Sequence, residues 1–373
     1  MEVSNNNDQN KLMKYLFIIL IICCLGCKQQ NDSTKTDFVK TQIISSKIDS
    51  LNTEEDVQNF VRKLKYPFIK FKEHNDSIIV YRTLEKFDLK KIKDFDRDHR
   101  KDFDSLTKKI ADSLNIKKSF YKADIDDNGF TDLIIIGDDN SCSGGSLEPD
   151  SKRSCDYSVY ALMNFGNDSI NPVNLMRNNN TGESIVPKIE DRNGQILLSI
   201  FEPLRHHRQE KISEVKKIDL TYKMGTFLEI NNNPRKYSIE KIEYETTPCY
   251  GSCPIFELTI NNDQTALLNA IEYNSLEPNL WEYKISKELK GVFKTTITNE
   301  KYREIIDLLN YLDFPTLEDD YFLSVTDNPG SKLKITYNQG KTKIIDDYGQ
   351  KGTRGLIKIY ELFEKLKTNQ SWK

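Results

Sequence analysis

Residues 238–271 read SIEKIEYETTPCYGSCPIFELTINNDQTALLNAI, and the pattern of this stretch decides the fold. Apolar and polar residues alternate from Ser238 to Glu245, again from Ile255 to Ile260, and again from Thr265 to Ile271. A period of two sends alternate side chains to opposite faces of an extended strand. Three such strands in succession predict an antiparallel meander. Downstream, Glu300 to Leu312 carries Tyr302, Ile305, Ile306 and Leu309 at helical spacing. Lys332 to Tyr337 and Lys341 to Ile345 flank Asn338-Gln339-Gly340, a hairpin signal. Gly355 to Leu366 is a second amphipathic helix. A sheet with two helices is an α+β layer arrangement.

Upstream of this stretch, Asn231-Asn232-Asn233-Pro234 marks a domain boundary. Before it, Thr53 to Lys65 opens with a Thr cap, carries acids in its first turn and sets Val57, Phe60, Val61 and Leu64 on one helical face. Phe68 to Phe71 and Ser77 to Tyr81 read as strands around His74-Asn75-Asp76. Arg97 to Leu114 reads as a charged helix with Phe103, Leu106, Ile110 and Leu114 inside. Short strands follow at Phe120 to Ala123, Leu133 to Ile136, Tyr157 to Phe165, Ser184 to Ile189 and Gln195 to Phe201. The expected fold is α+β with two domains, residues 53–230 and 237–370, each an antiparallel sheet packed with helices. The length of 373 residues suits about two domains at ~150 residues each.

Near the N-terminus, Lys11 and Lys14 precede an apolar run from Tyr15 to Leu25, which ends at Gly26-Cys27 and turns polar at Lys28. The run is shorter than the ~20 residues a membrane-spanning helix needs. It fits the ~7–15-residue core of a secretory signal. Cys24-Leu25-Gly26-Cys27 resembles the box of a bacterial lipoprotein signal, with Cys24 in place of the usual Leu. The resemblance implies a signal peptide over 1–26, cleavage before Cys27, a lipid on Cys27 and a tether over 27–52. It implies attachment through that lipid to the cell envelope, at the outer membrane of a Gram-negative bacterium. Met13-Lys14 makes a more ordinary start than Met1.

With 54 basic and 57 acidic residues the net charge is −3, without the basic excess of an electrostatic nucleic-acid binder. The 18 Tyr and 18 Phe supply ample core, which excludes a disordered chain. Of seven cysteines, Cys23 and Cys24 lie in the signal and Cys27 takes the lipid, leaving Cys142, Cys155, Cys249 and Cys253. An even remainder in an exported protein points to disulfides. Of the three pairings, the local one, Cys142–Cys155 with Cys249–Cys253, keeps each bond inside its own segment.

Asp124-Ile125-Asp126-Asp127-Asn128-Gly129-Phe130-Thr131-Asp132 is the strongest chemical motif. Side-chain oxygens fall at positions 1, 3, 5 and 9, from Asp124, Asp126, Asn128 and Asp132. Gly129 allows the sharp turn at position 6, and the Phe130 carbonyl stands at position 7. Ca²⁺ takes six to eight such oxygens. Ile135 stands where an EF-hand needs Glu. With Leu133-Ile134-Ile135-Ile136 behind it, the loop instead resembles the strand-flanked loops of integrin-type adhesion repeats. A single copy does not make a propeller, and the expected Ca²⁺ is structural. The other reading is a plain Asp/Asn/Gly turn.

Thr247-Pro248-Cys249-Tyr250-Gly251-Ser252-Cys253-Pro254 leads into the second strand of the meander. With Gly291, Phe293, Tyr321, Thr326-Asp327, Pro329 and Asp347-Tyr348, the segment from about Ser238 to Leu366 resembles a bacterial domain family of unknown function that carries Cys-Tyr-Gly-x-Cys-Pro. The resemblance implies a fold and no activity. Three readings of the cysteines stand: a structural disulfide pinning a turn, a redox pair, and a Cu(I) site of soft thiolates. Redox motifs of the thioredoxin type place two residues between the cysteines, and here there are three. His74, His99, His206 and His207 all lie upstream, away from a copper role. Arg205-His206-His207-Arg208 reads as a solvated basic turn. Asp319, Asp320, Asp327, Asp346 and Asp347 read as turn and surface acids. No nucleophile elbow, zinc helix or phosphate loop occurs. The expectation is a lipid-anchored binding or scaffolding module with an envelope protein or glycan as partner and no nucleic acid. The alternative is a thiol-redox or metal-handling protein using Cys249 and Cys253.

Overall fold

Helix α1 (Glu54–Lys63) starts at the expected cap: the Thr53 hydroxyl accepts the Asp56 N–H at 3.1 Å and the Asp56 carboxylate accepts the Thr53 N–H at 3.0 Å. The computed structural model describes residues 44–73, 76–97, 101–139, 154, 156–176, 184–204, 214–275, 288–323 and 326–373. After α1 come the hairpin β1 (Lys65–Glu73) and β2 (Asp76–Thr83), β3 (Asp88–Leu89), helix α2 (Lys101–Ser113), β4 (Phe120–Ala123), β5 (Asp132–Asp138), β6 (Tyr157–Asn164) and β7 (Ile170–Asn174). β3 and β4 share one edge of β5, β6 takes the other, and β7 pairs with β6. A second antiparallel sheet has the order β11-β10-β9-β8, built from β8 (Val186–Arg192), β9 (Gln195–Leu204), β10 (Glu214–Lys223) and β11 (Thr226–Glu229).

β5 is buried along its whole length. Leu133 and Ile135 pack with Ile48, Leu51, Val57 and Val61 on one face. Ile134 and Ile136 pack with Leu198, Ile200 and Leu220 of the second sheet and Ile110 of α2 on the other. A strand covered on both faces reads as a continuous apolar run, which is the pattern of Leu133 to Ile136. Each such side chain contributes roughly 1.5–3 kcal/mol by leaving water. The N-terminal region therefore layers α1, a five-stranded sheet and a four-stranded sheet, rather than one sheet with helices.

α2 is described from Lys101 onward, and Arg97, the residue at which the reading opened the helix, is not helical. Arg97 is instead buried before the helix, donating to the Asp104 carboxylate through Nε (2.9 Å) and Nη2 (2.6 Å) and to the Ser184 hydroxyl (2.7 Å). Burial holds because the guanidinium is paired and hydrogen-bonded.

The quoted stretch forms β12 (Ile239–Thr246), β13 (Ile255–Asn261) and β14 (Thr265–Glu272), and the meander continues into β15 (Gly291–Thr296). Helix α3 (Asn299–Tyr311), β16 (Asp320–Phe322), the hairpin β17 (Gly330–Tyr337) and β18 (Lys341–Tyr348), and helix α4 (Arg354–Asn369) complete a seven-stranded sheet of order β15-β14-β13-β12-β17-β18-β16. All pairs are antiparallel except β16 with β18. One face packs Tyr244, Phe256, Leu258 and Leu268 against Ile305, Leu309, Ile359 and Phe363 of the two helices. The other face carries charged pairs such as Lys334 with Glu243 at 3.0 Å.

The described residues fall within one compact unit. The hydrophobic cores are nonetheless almost separate, with Leu228 the residue from before the Asn231 boundary that enters the C-terminal core. Across the boundary the Glu229 carboxylate accepts the Arg354 and Gly355 N–H groups at 2.7 and 3.2 Å, capping the positive end of α4. The Asn231 amide donates to the Tyr311 carbonyl at 2.6 Å. Among the described residues, no helix is long and apolar enough to cross a membrane.

Candidate metal centre

The loop between β4 and β5 turns through two left-handed residues, Asp127 (φ 56°) and Gly129 (φ 87°). The Asp124 carboxylate closes it, accepting the Asn128 N–H at 3.0 Å and the Gly129 N–H at 2.9 Å. The Asn128 side-chain oxygen accepts the Phe130 N–H at 2.8 Å. Its amide donates to Asp126 Oδ2 at 3.2 Å and to the Asn164 carbonyl at 2.9 Å. Asp132, the first residue of β5, is fully buried: Oδ2 accepts the Ile125 N–H at 2.8 Å and Oδ1 the Asn164 N–H at 2.7 Å.

Among the described residues one group of carboxylates converges: ligand oxygens of Asp124, Asp126 and Asp132 lie within 4.8 Å of one another. Asp126 Oδ1 is buried with no hydrogen-bond partner. Burial, with the nearby charges of Asp126 and Asp124 added, pushes Asp132 up to about 7. Burial and then the Asp124 charge raise Asp126 as well. An unpaired buried carboxylate oxygen costs free energy that a divalent cation would recover. Of the expected ligands, Asp124, Asp126 and Asp132 come together directly. Asn128 joins through Asp126, and the Phe130 ring packs over Gly166, where a Cβ would lie 2.5 Å from it.

Sequence reasoning missed Asn164. This buried residue ends β6, and besides its bonds to Asp132 and Asn128 its amide donates to the Thr131 carbonyl at 3.1 Å and its side-chain oxygen accepts the Gly166 N–H at 3.0 Å. The signal available was the turn-rich run Asn164-Phe165-Gly166-Asn167 behind a strand.

Cys249 and Cys253 stand at disulfide distance, with Cα atoms 5.8 Å apart, in the partly exposed loop between β12 and β13. Gly251 adopts φ 131° there, and Tyr250 is 89% exposed at the tip. The loop is tied to the segment before β17. The Thr247 N–H donates to the Gly330 carbonyl (3.0 Å), the Gly330 N–H to the Thr247 hydroxyl (2.7 Å), and the Tyr250 N–H to the Asp327 carbonyl (3.1 Å). Residues far apart in the motif reading thus meet at one end of the sheet. Asp347 is buried and accepts the Lys351 and Gly352 N–H groups at 2.6 and 3.0 Å, which sets the turn into α4. Cys27, Cys142, Cys155, His74, His99, His206 and His207 lie outside the described residues.

Residues 240–367 match the model of a family described as Domain of unknown function (DUF6438). The motif around Cys249 and Cys253 falls inside the match. No curated protein and no solved structure matches the chain.

Proposed function

We propose that this chain is a cell-envelope binding or scaffolding module, attached to the membrane through a lipid on Cys27 and stiffened by a structural Ca²⁺ in the loop from Asp124 to Asp132. One observation carries the cation: the buried, unpartnered Asp126 Oδ1 beside the carboxylates of Asp124 and Asp132. The ion is structural because two of the three carboxylates already spend oxygens on backbone N–H groups, which holds the loop. Segments 53–230 and 237–370 act as two domains, supported by their nearly separate cores. The partner is an envelope protein or glycan and not a nucleic acid, on the ground of the charge balance.

Native mass spectrometry of the purified full chain tests the cation. The expected result is one Ca²⁺ per chain that EDTA removes; an identical mass in calcium and in EDTA overturns it. For the anchor, Cys27→Ser is expected to move the protein from the detergent phase to the aqueous phase on extraction. Unchanged partitioning overturns the lipid.

A second reading rests on the cysteine loop. The pair at disulfide distance is partly exposed, so thiol exchange through Cys249 and Cys253 is sterically open. Ready reduction by a glutathione buffer would favour it over a structural bond.

A further inference from the structure

The residues around the candidate cation loop do a second job: they hold the segment 44–51, the first part of the chain that is described. The Ile44 N–H donates to the Gly129 carbonyl at 2.7 Å, and Ile44 pairs with Phe130 as a parallel bridge. On the other flank of the loop, the Lys122 ammonium donates to three carbonyls, those of Ile48 (3.2 Å), Asp49 (3.1 Å) and Leu51 (2.8 Å). Within the segment the Asp49 carboxylate accepts the Ser46 N–H at 2.7 Å and the Ser46 hydroxyl at 3.0 Å. Ile48 is then buried against Val57 and Leu133.

The polar ties named here that leave the segment all reach a residue inside the loop, Gly129, or within two positions of it, Lys122. Gly129 sits between Asn128 and Phe130, two of the expected ligand positions, so ligation on both sides would fix the direction of its carbonyl. Without a cation, three carboxylates within 4.8 Å repel one another and loosen the same turn. We infer that cation occupancy of the loop latches the segment 44–51 onto the folded body, so that the site controls how firmly the N-terminal approach is docked. This rests on the cation reading above, and goes beyond a merely rigid loop because it assigns the ion a moving part. Coupling of this kind is reciprocal: docking must strengthen cation binding by the factor that the cation strengthens docking.

The test uses the full chain with Ca²⁺ as the probe, affinity by titration calorimetry, and hydrogen exchange read by mass spectrometry. In EDTA the amides of 44–51 are expected to exchange about tenfold faster than in calcium, while those of β12 to β14 do not change. Lys122→Met is expected to bind Ca²⁺ and still expose 46–51. Ile44→Pro, at a side chain 50% exposed, removes the N–H that the Gly129 carbonyl accepts and is expected to lower Ca²⁺ affinity about fivefold. Bound Ca²⁺ with unchanged exchange over 44–51 overturns the latch alone. No bound Ca²⁺ overturns the latch together with the cation reading.

Discussion

Two loops of this molecule join neighbouring antiparallel strands, and they are held by opposite means. The loop between β4 and β5 is drawn tight by carboxylates that accept backbone N–H groups while crowding one another. The loop between β12 and β13 has no carboxylate of its own and is closed by the Cys249–Cys253 pair and by three hydrogen bonds to the 327–330 segment, two between backbones and one through the Thr247 hydroxyl. The first keeps its charge inside the fold and, on the proposal above, is expected to answer to cations and pH. The second ties its ends through a cysteine pair and is expected to answer to reductants. On that reading the chain carries two stiffening devices with no shared sensitivity.

The sharpest way to break that contrast is Asp132→Ala. It strands the Ile125 and Asn164 N–H groups in the interior, each at roughly 1–3 kcal/mol, for a loss of about 4 kcal/mol in denaturant unfolding. A loss under 1 kcal/mol would mean that the carboxylate does not organise the loop.

Next is pH. Asp132 is raised from 3.8 to about 7 in the folded state, so the native form binds more protons than the unfolded form between those values. Stability in EDTA is therefore full below about pH 4 and declines as pH rises to about 7, by at most ~4 kcal/mol. Saturating Ca²⁺ is expected to flatten the decline, since the ion replaces the proton. Melting temperature across pH with and without calcium checks this, and parallel curves would contradict it.

Replacing both Cys249 and Cys253 by Ser is expected to cost less, about 2 kcal/mol, because the closed loop is short. That loss should be insensitive to EDTA; a loss that vanishes in EDTA would join the two devices. Smallest is Tyr250→Ala, within about 0.5 kcal/mol, because the side chain is 89% exposed. A larger loss would show that the loop tip packs on something.

Much of this was legible. The period-two runs at 238–245, 255–260 and 265–271 became β12, β13 and β14, and the helices after Glu300 and Gly355 became α3 and α4. β10 escaped because Glu-Val-Lys-Lys-Ile-Asp-Leu mixes charges with its apolar face. β15 opens on glycine, and β16 has only three residues, too few for a period to show. The convergence of Asp124, Asp126 and Asp132 was legible because the three lie within nine consecutive residues. Asn164 was not, because it reaches Asp132 across 32 positions through the pairing of β5 with β6.

By itself the sequence determined what local spacing encodes: the capped helix at Thr53, the strand periods, the turn that gathers carboxylates and the close cysteine pair. Tertiary structure decided which edges meet. The β17–β18 hairpin beside β12, the apolar run of β5 between two layers, the meeting of Thr247 with Gly330, and the grip of Lys122 on residues 48–51 all join distant segments. The physical reason is that an edge N–H or a buried apolar face is satisfied by whichever partner the whole fold brings near, and that choice belongs to no single stretch of chain.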